Sequence, residues 1–149
     1  MSELPLTYRG AVYPWHCDHV GHMNVMYYTG KFDEATWNLF ALLGVTRKFL
    51  TENGRGMAAI EQTTKYLREL HAGDIVTIRS RLIVLEGKKI HFIHEMVNGE
   101  TQELAATSEL FGLHLDTEIR KSCLFPDDIL ANGRKMIAQH LDIETPASG

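Results

Sequence analysis

The chain has 149 residues, of which 44% are hydrophobic and 23% charged, with a formal net charge of -4. That is enough sequence to bury one core without staples, and the composition excludes a disordered chain. The mildly acidic balance gives no electrostatic basis for binding nucleic acid or an anionic membrane. Two cysteines, Cys17 and Cys123, are too few for a disulfide framework and suit a reducing cytoplasm. No apolar run is long enough to span a bilayer, and the first residues lack the pattern of a secretion signal. The expectation is one cytoplasmic domain over residues 1–149, with a core over about 6–140 and a small polar tail, 145–149, left disordered.

Leu6 to Trp15 reads as a first strand, with Tyr8, Val12 and Tyr13 among its β-formers. His16 to Asn24 is polar, contains Gly21 and is expected to be a loop. Asn24 suits a helix N-cap. From Val25 to Leu43, apolar residues recur at Tyr28, Phe32, Ala35, Leu39, Leu42 and Leu43, which is helical spacing, and Gly44 stands at the C-terminal cap. Only Lys31, Asp33 and Glu34 bring charge, so the helix is expected to be buried on most sides.

After a loop around Asn53-Gly-Arg-Gly56 the period changes. Met57–Leu70, Asp74–Leu85, Lys88–Val97 and Gln102–Leu115 are strand-like, divided by the turn sequences Ala72-Gly-Asp74, Glu86-Gly-Lys88 and Asn98-Gly-Glu100. Val76, Ile78, Ser80, Leu82 and Val84 share one face, against Thr77, Arg79 and Arg81 on the other, as in half-buried antiparallel hairpins. A last helix starts after Pro126, with Asp127 and Asp128 at its positive end. One strand, one long apolar helix and four consecutive strands make an α+β hotdog arrangement: a curled, five-stranded antiparallel sheet around a central helix, plus a short C-terminal helix. Such a sheet leaves edges, so a homodimer or dimer of dimers is expected.

Three histidines, a cysteine and an aspartate crowd into Trp15-His-Cys-Asp-His-Val-Gly-His-Met-Asn24, just ahead of the helix. Asp18 can attack a carbonyl carbon as a carboxylate, or hold the water that does. Gly21 lets the backbone turn with no side chain in the way. Amide N–H groups near Asn24 and Val25 carry the positive end of the helix, which suits a developing oxyanion. His22 and Asn24 could orient Asp18 or bond the water. The plainer readings are a turn-stabilising Asp18, a structural His22 and an Asn24 that only caps. Cys17 is a poor nucleophile beside Asp18. His16, Cys17, His19 and His22 are zinc-type ligands, but their spacing matches no paired-ligand motif and no metal is expected. His91 and His94, three apart on a strand, face opposite sides and are expected to be packing residues.

Asp18-x-x-Gly21-His22-x-Asn24, followed by Tyr27-Tyr28 and Phe32-Asp-Glu-Ala35, resembles the signature of hotdog acyl-CoA thioesterases related to 4-hydroxybenzoyl-CoA thioesterase. The segments Tyr66–Asp74, Lys89–Met96 and Ala105–Glu109 are most similar to the branch that includes betainyl-CoA thioesterases. The resemblance covers about residues 8–126. It implies hydrolysis of a small acyl-CoA with Asp18 as the catalytic aspartate, and no cofactor, coenzyme A being part of the substrate. It also implies that an acid in the strand holding Glu61 faces the site across a dimer interface, though an ordinary surface Glu61 is an equal alternative. The branch points to a quaternary-ammonium acyl group. Trp15, Tyr27, Tyr28, Phe32 and Trp37 could supply aromatic faces for it and Glu61 or Glu34 a negative charge, unless these aromatics are simply core. Two other functions stay in view on the same fold. One is a non-catalytic acyl-CoA-binding or regulatory protein. The other is a hydratase or dehydratase, whose Asp and His five apart around an Asn-Pro pair are absent here.

Overall fold

A computed structural model describes residues 3–143, so the expectation for 145–149 lies outside the described residues. The elements in chain order are β1 (Leu6–Ala11), α1 (Val25–Leu43), α2 (Arg47–Asn53), β2 (Arg55–Tyr66), β3 (Ile75–Glu86), β4 (Lys89–Asn98), β5 (Leu104–Asp116), β6 (Lys121–Ser122) and α3 (Asp127–His140). The strands form one antiparallel sheet in the order β1-β3-β4-β5-β2, with the two-residue β6 added to β5. The central helix and the five long strands are those expected; β6 and α2 are additions. α2 is two turns capped by the Thr46 hydroxyl and closed by Gly54 at φ 60°, too short for apolar periodicity to reveal.

Two boundaries and one strand face differ for physical reasons. β1 stops at Ala11 rather than Trp15, because Pro14 has no N–H for a ladder and opens a single 3-10 turn, Pro14–His16. β2 ends at Tyr66 rather than Leu70, since the N–H groups of Leu67 and Arg68 both turn to the carbonyl of Ala105. On β3, Val76, Ile78, Ser80 and Leu82 are buried as expected, but the register with β4 slips between Leu82 and Val84. That bulge reverses the alternation, and Leu85 takes the buried position assigned to Val84.

α1 begins and ends as its caps dictate: Asn24 Oδ1 accepts from Met26 N–H, and Gly44 adopts φ 100°. Tyr28, Phe32, Ala35, Leu39 and Leu43 bury one face, joined by Lys31, whose ζ-amine donates to the Tyr8 hydroxyl at 2.7 Å. The opposite face is not covered. Val25, Met26, Trp37 and Leu42 are exposed, which corrects the expectation of burial on most sides. The second flank that such an apolar helix implies is not supplied by the described residues.

The core itself is divided. Ile78, Met96, Ala106, Phe32 and Ala35 belong to one apolar cluster, and Leu82, Phe92, Leu110, Leu39 and Phe40 to another. Between them, at one level of the sheet, run Ser80 on β3, His94 on β4 and Ser108 on β5, directly paired and each fully buried. Thr36 occupies the same level on α1. A polar belt therefore crosses the middle of the hydrophobic core.

Candidate active site

The loop before α1 is short because its ends are tied. Cys17 and Met23 form an isolated bridge, Asp18 N–H donates to the His22 carbonyl at 3.2 Å, and Asn24 N–H to that of His16 at 2.9 Å. Within it, Gly21 N–H closes a turn onto the Asp18 carbonyl at 3.0 Å. Gly21 has φ +102°, a conformation that disfavours any side chain, and no atom would lie within 4 Å of an added Cβ. The turn thus needs glycine and leaves open space above it.

This turn aims the Asp18 carboxylate at the head of the helix. Val20 N–H donates to Oδ1 and Asn24 Nδ2 to Oδ2, each at 2.9 Å. The bond from Asn24, then that from Val20, holds the carboxyl below the usual carboxylate range, because both favour the charged form. Asn24 therefore does two things with one amide: its oxygen caps α1 and its nitrogen orients Asp18. At the helix start, Asn24 N–H is engaged by His16, Met26 N–H by the cap and Tyr27 N–H by the Asn24 carbonyl. Of the two donors proposed from sequence, only Val25 N–H has no partner among the described residues. It stands on an exposed residue at the positive end of nineteen helical residues.

The remaining sequence candidates separate from this pair. His22 makes no side-chain hydrogen bond to Asp18; its Nε2 lies 3.5 Å from Glu69 Oε1. Trp15 is exposed and stacks on Tyr13 with ring centroids 4.5 Å apart. Tyr28 is buried, its hydroxyl donating to the Arg68 carbonyl, and Phe32 is wholly core. Glu61 is exposed on β2 and paired with Phe111, which pairs with His91. That places it on the face of the sheet opposite α1. The register of β2 slips between Ala59 and Glu61, so parity counted from sequence alone misplaces the residues on either side. His16 Nδ1 accepts from Tyr13 N–H, and the Cys17 thiol points to the Tyr13 carbonyl.

Two recesses flank the first turn of α1. On one side an open groove is lined by His22, Val25, Tyr28, Tyr66, Arg68 and Glu69. On the other, a cavity of about 370 Å³ runs along the uncovered face of α1 from Met26 to Phe40, walled by Thr36, Trp37, Gln62, Phe92 and Leu110. Asp33 is the single charged residue in that lining. Gln62, Asp33 and Thr36 were not singled out from sequence. For Asp33 the i,i+4 spacing to Trp37 was the available signal, whereas the bulge hides Gln62.

The arrangement can be set beside known proteins. An L-carnitine dehydrogenase/betainyl-CoA thioesterase of Ruegeria pomeroyi is 32% identical over 106 residues, 71% of this chain. The chain spans only 21% of the length of that relative. A betainyl-CoA thioesterase of Pseudomonas aeruginosa is 26% identical over 146 residues, covering 98% of this chain and 92% of its own. Among solved structures, a Staphylococcus aureus protein determined in complex with CoA superposes with a TM-score of 0.89 at 21% identity, over 98% of this chain and 92% of that one, and so shares the fold. The model of the thioesterase-like superfamily matches residues 12–133. The chain belongs to the thioesterase-like superfamily and has its hotdog fold.

Proposed function

We propose that the protein hydrolyses acyl-CoA thioesters at the head of α1. The observation that carries this reading is the double use of Asn24, which fixes a charged carboxylate and leaves an unpaired helix N-terminal N–H one residue away. With the thioester carbonyl there, Asp18 either attacks the carbon directly or takes the proton of an attacking water. Electrons move onto the carbonyl oxygen, where Val25 N–H and the positive helix end meet the charge; one such donor is typically worth about 10²–10³ in rate. Collapse of the tetrahedral species expels CoA thiolate; on the water route this yields the acid at once, and on the direct route a water then splits the acyl–Asp18 anhydride, releasing the acid and restoring the carboxylate. No cofactor enters this route, and coenzyme A arrives with the substrate. The groove beside His22 and Arg68 suits the pantetheine arm, and the cavity along α1 suits the acyl group.

A cationic acyl group fits that cavity. Two relatives carry betainyl-CoA in their names, and Asp33 with the Trp37 indole one turn on supplies a carboxylate and an aromatic face. These replace the buried Tyr28 and Phe32 as the recognition set. Thiol release from betainyl-CoA should exceed that from the tert-butyl isostere by about tenfold or more, since each cation–π contact contributes roughly 0.5–2 kcal/mol. Equal rates remove the cationic pocket but keep the hydrolase, whereas binding with no free CoA from any ester supports the regulatory reading instead.

The reading includes a second copy of the chain in the cytoplasm. β2 is a sheet edge of twelve residues, and Val25, Met26, Trp37 and Ile60 are exposed. A partner joined there would cover the open face of α1, on the side of the sheet away from Glu61. A compact monomer in sedimentation at micromolar concentration overturns this assembly.

A further inference from the structure

The polar belt in the core ends on the cavity. Thr36 Oγ1 lies 2.8 Å from His94 Nε2, Ser80 Oγ lies 2.6 Å from Nδ1, and Ser80 in turn meets Thr7 Oγ1 at 2.7 Å. Thr36 Oγ1 also lies 3.0 Å from the Phe32 carbonyl and Thr7 Oγ1 3.1 Å from that of Ile78; three hydroxyl protons and one ring proton fill four of these five contacts at a time. A hydrogen-bonded chain therefore runs from α1 through the imidazole to β3 and β1, with every member buried. The imidazole also touches a second wall residue: Phe92 meets it edge-on at 5.1 Å, and Phe40 meets Phe92 in the same manner at 5.7 Å. Thr36, Phe92 and Phe40 all line the cavity.

A buried histidine, two serines and two threonines are a costly way to fill a core that leucine or phenylalanine fills more stably. What such groups add over apolar packing is direction. Dispersion lets Phe92 and α1 slide, while two hydrogen bonds on opposite ring nitrogens fix the imidazole in one orientation. The position is also telling. Thr36 stands ten residues along α1 from Met26, about 15 Å from the first turn at 1.5 Å per residue, so it bounds the far part of the cavity and not the reacting end.

We propose that His94 is a positioning residue for the far wall of the acyl cavity: by its hydrogen bond to Thr36 and its ring contact with Phe92 it sets the length and shape of acyl group the enzyme accepts. The proposal rests on the thioesterase reading and on the acyl group lying along α1. It assigns no contact between His94 and the substrate, and it separates acyl length from chemistry at Asp18.

Straight acyl chains serve as rulers for the test. His94→Phe keeps a ring but no ring nitrogen. Thr36 and Ser80 retain the Phe32 carbonyl and Thr7 as partners, so the fold has a route to survive. Thr36→Val removes the hydroxyl at constant shape and gives an independent variant. His94→Gln places an amide nitrogen near the Nε2 position and should rescue. In His94→Phe and Thr36→Val, kcat/KM for dodecanoyl-CoA should fall about tenfold or more, the scale of one lost hydrogen-bonded contact. The fall should lie mainly in KM, acetyl-CoA should change by less than about twofold, and the Gln variant should recover most of the loss. A parallel fall on both esters marks a general structural role and overturns the proposal, as does no fall on either. If the wild type binds both esters and cleaves neither, the thioesterase reading fails by itself. The ratio of their dissociation constants then tests the same wall, and a ratio unchanged by the variants overturns it.

Discussion

Asp18 and His94 are both held by a pair of hydrogen bonds, and the protein treats their charges in opposite ways. Asp18 lies half-buried in a loop where two N–H donors stabilise its ionised form and push its pKa down. His94 has no exposed surface, and loss of water drives its pKa to about 3, so the ring stays neutral. Each group keeps one protonation state through neutral pH, one by donors that favour charge and the other by burial that forbids it. The difference matches the work each region is suited to: a charge at the surface where a thioester can reach it, and neutral geometry in the core.

The sharpest way to break this contrast is to remove the surface charge. Asp18→Asn preserves shape and should keep the melting temperature close to that of the parent. Its turnover on a good acyl-CoA should fall by about 10²–10⁴, the usual worth of a positioned acid–base group and a lower bound for a nucleophile. A folded variant with near-normal turnover takes the loop out of the chemistry altogether.

The buried side of the contrast predicts a smaller effect, on stability. The unfolded chain takes up a proton on His94 as pH falls below its ordinary value of 6.5, whereas the folded ring resists until about 3. Because the folded pKa is depressed, the contribution is fully present above pH 6.5 and is lost on acidification through that window. The slope is about 1.4 kcal/mol per pH unit for one proton. Burial also lowers the pKa values of His114 and His140, which add in the same direction. The comparison is therefore between urea midpoints of the parent and His94→Phe at several pH values from 7 to 4. The variant should show the shallower acid loss; identical slopes mean that His94 is already solvated or charged in the fold.

What the sequence made legible follows the range of the interactions involved. The ends of α1 depend on Asn24 and Gly44, whose preferences act within one turn, and both appear where they were read. The loop was legible for the same reason, its residues being neighbours in the chain. The face of Val84 and the facing of Glu61 were not, since each depends on a single extra residue in a ladder that only the partner strand reveals. His91 and His94 were correctly placed on opposite sides. The belt nevertheless required alignment of Ser80, His94 and Ser108 from three strands, a register that periodicity within one strand does not carry. The cavity was hidden for a further reason: the apolar stripe of α1 is wider than one sheet can cover, and composition does not say which part stays open.

The smallest effect tests the joint between the two halves of the site, Asn24. If this residue only capped the helix, Asn24→Ser would be nearly silent, because a serine oxygen also accepts from the helix amides. The geometry assigns it a second task that serine is too short to perform, the bond from Nδ2 to Asp18 Oδ2. Asn24→Ala loses both tasks and should destabilise the fold by about 1 kcal/mol, while Asn24→Ser should remain close to the parent in stability. On the pH profile of kcat/KM the two variants should behave alike. The hydrogen bond from Asn24 is the leading cause of the depressed Asp18 pKa, and without it the carboxyl is protonated at a higher pH. The acid limb should therefore move upward in both variants, with the plateau at neutral pH lowered only by the looser aim of the carboxylate. An acid limb that stays in place in the serine variant reduces Asn24 to a cap and passes the leading part in holding the charge of Asp18 to Val20 N–H.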